Sequence, residues 1–294
     1  MKVLIVGCCG FIGSNLINHL STKHEVIGVD NLQFGNLDNL ENTANFNKLD
    51  FAKLDEWYLN RFDVLIHVAC ANIIYAQNYP IETFKTNALE TINLFQRFKG
   101  RIIYTSTASI YGGASTVPTP EDYPESVSNA YDQSKLIAEK YLQLRGNYTT
   151  LRLSNVYGVN QRPDNPYAGV IGKFIQAGIK DEPMLICGDG LATRDYTYIS
   201  DVVEAIEMSL NVDALNTEIN IAGNSEISIV KLAYTISNIL GKEVNMDFIE
   251  PRKIDKIHRR WLYCAKAKEL LGWEPKVKLN EGLKKTIEWM INEY

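Results

Sequence analysis

The chain has 294 residues, 46% of them hydrophobic and 22% charged, which is enough to bury most of its apolar surface and excludes disorder, fibre and low-complexity scaffolds. Its 30 Lys+Arg against 35 Asp+Glu give a net charge of −5, so no broad cationic field exists and nucleic-acid binding is not expected. No apolar run reaches the roughly 18 residues a membrane span needs, and the scattered Cys8, Cys9, Cys70, Cys187 and Cys264 form no CxxC pair, so a soluble cytoplasmic protein with reduced thiols is expected.

The opening segment resembles a signal peptide only superficially, because it lacks a cleavage region and passes straight into helical periodicity; a buried first strand explains it better. Short β-branched runs predict strands at Lys2 to Val6, Glu25 to Asp30, Asn45 to Leu49, Val64 to Ala69, Arg101 to Ser106 and Thr150 to Leu153. Apolar residues at three- and four-residue spacing predict helices between them at Ser14 to Thr22, Pro80 to Phe98 and Ala130 to Arg145. That alternation is the pattern of a parallel sheet with crossover helices, covered on both faces. Beyond a turn-rich stretch at 160–166, helices are expected at Ala168 to Lys180, Ile229 to Leu240, Lys266 to Leu271 and Glu281 to Asn292. The expected organisation is one domain over 1–160, completed by segments near 195–222, and a smaller mixed α/β domain over 161–294, with a cleft between them.

The first strand runs into Gly7-Cys8-Cys9-Gly10-Phe11-Ile12-Gly13, a glycine turn opening a helix whose N–H groups and dipole suit a pyrophosphate. Asp30 ends the second strand, seventeen residues after Gly13, placed to accept hydrogen bonds from adenosine ribose hydroxyls. No arginine adjoins it in sequence, which favours NAD over NADP. Asp50, after the third strand, is a weaker candidate for an adenine contact and equally an ordinary turn residue. Thr107 follows the fifth strand, and Tyr131 and Lys135 stand four apart at the start of a helix, so a phenol and an ammonium can converge on one site. Adjacent positive charge favours the phenolate a base needs. Cys70 and His67 read as a small filler and a structural histidine, and the dispersed His19, His24 and His258 suggest no metal site.

These motifs, with Leu151 to Gly158, Gly188 to Gly190, Arg194-Asp195-Tyr196, Asp201 to Val203 and Leu271 to Pro275, resemble nearly end to end the extended short-chain dehydrogenase/reductases of the nucleotide-sugar epimerase and dehydratase group, most of all the UDP-hexose 4-epimerase branch. The resemblance implies a Rossmann-type doubly wound parallel sheet and NAD held by Gly7, Gly10, Phe11, Ile12, Gly13, Asp30, Asn31, Asp50, Phe51, Val68, Ala69, Ala71 and Asn87 together with Tyr131 and Lys135. It implies Tyr131 as catalytic acid/base, Lys135 as its electrostatic partner and Thr107 as the hydroxyl on the reacting sugar oxygen. Asn155, Arg194, Arg252 and Asp255 would hold the nucleotide end of the substrate, and a homodimer would form through the helices at Pro80 to Phe98 and Ala130 to Arg145. Thr107-Ala108-Ser109-Ile110-Tyr111-Gly112 lacks the carboxylate that dehydratases and decarboxylases of the group carry there, which disfavours those reactions. Asn72, Glu90 and Ile254 also depart from the family pattern. A net dehydrogenase of the same superfamily and a catalytically silent dinucleotide sensor are the alternatives.

Overall fold

In the computed structural model, residues 1–165, 169–213, 215–251 and 257–293 are described. The β-branched runs form the parallel strands β1 (Lys2–Val6), β2 (Glu25–Asp30), β3 (Phe46–Lys48), β4 (Val64–His67), β5 (Arg101–Thr107) and β6 (Tyr148–Leu153). Between them lie α1 (Phe11–Leu20), α2 (Glu56–Leu59), α3 (Ile73–Asn78), α4 (Pro80–Phe84), α5 (Thr91–Arg97) and α6 (Ala130–Arg145). The later chain adds β7 (Asn155–Tyr157), α7 (Val170–Ile179), β8 (Met184–Cys187), β9 (Thr193–Tyr198), α8 (Ile199–Leu210), β10 (Glu218–Ile221), β11 (Glu226–Ser228), α9 (Ile229–Leu240), β12 (Met246–Ile249), β13 (Arg259–Arg260), α10 (Ala265–Leu271) and α11 (Leu279–Glu293). No helix among the described residues is long and apolar enough to cross a membrane.

The main sheet has the order β10-β6-β5-β4-β1-β2-β3, all parallel. Strand order reverses at β1, so the chain leaves β1 and β4 in opposite directions and opens a crevice beyond their carboxyl ends. This is the expected doubly wound architecture. Its edge strand β10 comes from far along the chain, and α8 packs on α1. A separate small sheet centres on β9, flanked by β7, β11 and β13.

Several boundaries differ from the sequence-based expectation. Helix α1 starts at Phe11 rather than Ser14, because Gly10 adopts an extended conformation and caps it directly. Strand β4 stops at His67 rather than Ala69, since the N–H groups of Val68 and Ala69 both turn onto the Val6 carbonyl and leave the ladder. The helix expected at Pro80 to Phe98 is interrupted by a π-helical stretch at Lys85–Glu90 between α4 and α5, and α3 precedes it. Asn87 lies in that stretch.

Helix α6 is fastened to the sheet by a buried ion pair. Glu139 is 0% and Arg152 2% exposed, and Arg152 Nη2 lies 2.8 Å from Glu139 Oε2. Arg152 Nη1 also donates to the Tyr111 hydroxyl, which in turn donates to Asn220 on β10. Removing one partner of such a pair strands the other charge in the interior. Arg152→Met is therefore expected to destabilise the protein by about 3–5 kcal/mol in urea unfolding, and adding Glu139→Leu should recover part of the loss.

Candidate active site

The glycine turn closes against the exit of β4. Gly7 has φ +88°, and a Cβ there would lie 2.6 Å from Ala69 Cα; a Cβ on Gly13 would strike the Gly7 carbonyl oxygen. Backbone therefore approaches backbone in a way that only glycine permits. No side chain caps α1, which leaves its first N–H groups available to an anion. Above them opens a cavity of about 610 Å³. Gly7, Gly10, Phe11, Ile12 and Gly13 line it, as do Asp30, Asn31, Phe51, Val68 and Ala69.

Asp30 is fixed before any ligand arrives. Its Oδ1 accepts from Leu32 N–H at 2.8 Å and its Oδ2 from Cys9 N–H at 3.0 Å. Burial raises its pKa, and those two bonds oppose the rise. Each oxygen retains a further lone pair for a ribose hydroxyl. The uncapped helix end, the glycine cradle and the oriented carboxylate thus fit the pyrophosphate and ribose of NAD. The Cys8 and Cys9 thiols and the Asp30 carboxylate lie within 4.8 Å of one another. The Cys9 contact and burial hold the Cys8 thiol protonated, and the group reads as the packed underside of the turn.

The chemical groups converge at the mouth of this cleft. Asn129 caps α6 by accepting from Asp132 N–H, which sets Tyr131 and Lys135 on the first turns of the helix. Thr107 ends β5, with its Oγ1 2.9 Å from Ser109 Oγ, and its side chain bonds Tyr131. Lys135 is 2% exposed, its ammonium 4.1 Å from the centroid of the Tyr104 ring. Burial pushes Lys135 down to about 8, while Cys70 and Glu139 favour its charged form. Burial raises the Tyr131 phenol, as does Cys70; Thr107 and Arg260 oppose the rise. In the protein alone the phenol is therefore protonated at neutral pH. Cys70 lines the cavity and is also a near neighbour of both Tyr131 and Lys135, so the cleft and these two side chains adjoin.

Other candidates have different local duties. Asp50 Oδ1 caps the turn at Phe51–Lys53 by accepting from Ala52 N–H. Asn87 clamps Ala71 on both sides, accepting from its N–H and donating to its carbonyl, and also donates to Ser134. His67 is buried beside Phe51, Phe95 and Tyr104, bonds Thr91, and is pushed down to about 3 by burial, so it is neutral. Asn155 on β7 and Arg194 on β9 come together on the small sheet, where Asn155 donates to the Asp195 carbonyl. Arg252 and Asp255 lie outside the described residues. Arg260, in an Arg259-Arg260 pair that looks like solvated surface in sequence, stands beside Arg194 through the pairing of β13 with β9.

The model of the NAD dependent epimerase/dehydratase family matches residues 3–222. UDP-glucuronic acid decarboxylase 5 of Arabidopsis thaliana is 34% identical, covering 96% of this chain and 87% of the relative. UDP-glucose 4-epimerase of Mycolicibacterium smegmatis is 32% identical, covering 100% and 99%. The crystal structure of UDP-glucose 4-epimerase from Thermotoga maritima with UDP-glucose superposes with a TM-score of 0.92 at 33% identity, covering 99% of each chain. With a family model spanning most of its length and relatives aligned nearly end to end, the chain belongs to the NAD-dependent epimerase/dehydratase family.

Proposed function

We propose that the protein is an NAD-dependent nucleotide-sugar epimerase that inverts C4 of a UDP-hexose. The observation that carries this reading is the meeting of Thr107, Tyr131 and Lys135 beside the dinucleotide cleft, with Cys70 common to both. Bound NAD supplies a hydride acceptor and a positive ring. Tyr131 takes the proton of the C4 hydroxyl, directly or through Thr107, and later returns it. Lys135 keeps a positive charge beside the developing phenolate and offers donors to the nicotinamide ribose. Residues 1–160 hold the cofactor in this reading, and Asn155 at their end joins Arg194, Arg252 and Asp255 of 161–294 in gripping the nucleotide. The sugar must stay loosely held so that the 4-keto form can present its opposite face.

The relatives include decarboxylases, and the strand end separates the two reactions. Ser109 stands where a decarboxylase of the group carries glutamate; it is buried and bonded to Thr107 and Asp132. Asp132 is 0% exposed and accepts from Ser109 and Asn129, so it does not replace that acid at the sugar. A homodimer is part of the proposal. Ile137 and Leu144 are exposed seven residues apart on α6, and Ile81 and Leu89 are exposed on the adjoining helical segments.

Incubation with UDP-, dTDP-, GDP- and CDP-sugars followed by product separation tests the reaction, with C4 epimers and no net NADH expected. Tyr131→Phe is expected to lower turnover about 10²- to 10⁴-fold with NAD binding retained; wild-type turnover would overturn the assignment. Asp30→Ala should weaken NAD by roughly 10- to 100-fold and NADP by less, as read by fluorescence titration. Lys135→Met removes a buried ammonium whose pKa in the folded state lies below the ordinary 10.5. The unfolded chain binds that proton more readily, so the wild type gains stability as pH rises from about 8 to 10.5. The NAD-free variant should therefore melt above the wild type at pH 7, by a margin that narrows across this window, while its activity is lost.

A further inference from the structure

The hydroxyl of Thr107 belongs to a short chain of hydrogen bonds that runs from the cleft into α6. Thr107 Oγ1 lies 2.9 Å from Ser109 Oγ, and Ser109 Oγ donates to Asp132 Oδ1. The other carboxylate oxygen accepts from Asn129 Nδ2, an orientation fixed because Asn129 Oδ1 already accepts from Asp132 N–H. Burial raises the Asp132 pKa, but Ser109, Arg260, Asn129 and the Ser128 backbone all favour its charged form. A carboxylate can only accept. The single hydrogen of Ser109 Oγ is therefore committed to Asp132, and the hydrogen between Ser109 and Thr107 has to come from Thr107. Ser109 N–H also donates to Thr107 Oγ1, at 3.2 Å. One lone pair remains on Thr107 Oγ1 for its bond with Tyr131. That lone pair suits Tyr131 as a phenol, which donates to it. A phenolate has no hydrogen to give; it needs the one Thr107 carries, so the support Thr107 offers the phenolate requires Ser109 to release that hydrogen. Ser109 is 3% and Asp132 0% exposed, which leaves the competition to these side chains.

We propose that Ser109 and Asp132 are positioning residues that hold the Thr107 hydroxyl hydrogen away from Tyr131 and so bias Tyr131 toward its protonated form. The proposal rests on the reading of Tyr131 as acid/base and adds two residues that act on it through Thr107. It also selects between the two proton routes. A shuttle would have Thr107 take the sugar proton while handing its own to Tyr131, and that hydrogen is turned toward Ser109 instead. The transfer is therefore direct: the C4 O–H bond breaks and the Tyr131 O–H bond forms as hydride leaves C4 for bound NAD, while Thr107 and Ser109 keep their own hydrogens. On the return the phenol is the form required, and the same three side chains favour it.

The test titrates Tyr131 in the NAD-loaded protein by carbon NMR of tyrosine labelled at Cζ, the resonance being assigned by its loss in Tyr131→Phe, and follows turnover of UDP-glucose across the same pH range. Ser109→Ala removes the competing acceptor and is expected to lower the Tyr131 midpoint by about half to one pH unit. Asp132→Asn should lower it at least as far, since it also removes a negative charge that bears on the phenol. Ser109→Thr, which keeps the hydroxyl, should return the midpoint to the wild-type value. Cys70, Tyr104 and Arg260 also bear on Tyr131, and Lys135 stands one turn further along α6, but all four are unaltered in these variants. Below the wild-type midpoint, Ser109→Ala should therefore turn over about 3- to 10-fold faster than the wild type. An unmoved or raised midpoint in Ser109→Ala would overturn the proposal. A lowered midpoint in a protein that epimerises none of the nucleotide sugars would sustain the arrangement and overturn the reaction assigned above.

Discussion

A buried ammonium is the constraint on which the rest depends. Lys135 can stand beside Tyr131 only if its charge is tolerated in the interior, and α6 and β6 provide for that together. Glu139 lies one helical turn further along the same face, and Arg152 reaches it from the sheet. Ammonium, carboxylate and guanidinium alternate in sign, so each interior charge has an opposite neighbour, and the Tyr104 ring adds its negative face beneath the lysine. Helix α6 can neither slide nor rotate without breaking this series. Tyr131 is thus oriented by the fold itself, the preorganisation that its proposed role as acid/base would require.

The cofactor side obeys a different logic, built from backbone. Gly7 and Gly13 admit close approach, the uncapped start of α1 offers N–H groups, and Asp30 is held by the N–H groups of Cys9 and Leu32. The small sheet has a register that places Asn155, Arg194 and Arg260 on one face. In the proposed function, a rigid dinucleotide grip and a charged nucleotide grip would leave the reacting ring to a few side chains around Thr107 and Tyr131.

How much of this was legible in sequence follows from the range of each signal. The parallel strands, the glycine turn and the Tyr131–Lys135 spacing are local patterns with a fixed period, and they appear where expected. The π-helical stretch at Lys85–Glu90 left no such trace, because it answers to a tertiary demand: Asn87 must face the Ala71 backbone. Asp50 read equally as a weak adenine contact and as a turn residue; its Oδ1 caps a turn through a neighbouring N–H invisible to spacing. Strands β7, β9 and β13 are short and polar, with no alternation to betray them. Arg260 meets Arg194 only through strand pairing across sixty-six positions, which no local pattern reveals.

The late arrival of β10 also governs how the chain is made. Until residues 218–221 leave the ribosome, β6 remains the open rim of a long parallel sheet, and the Tyr111 hydroxyl lacks its Asn220 acceptor. A nascent chain of about two hundred residues thus exposes an unpaired strand edge, the kind of surface that recruits other copies. Translation pauses or truncations just before this segment would leave an aggregation-prone half-product, whereas interruptions after it would spare the large sheet.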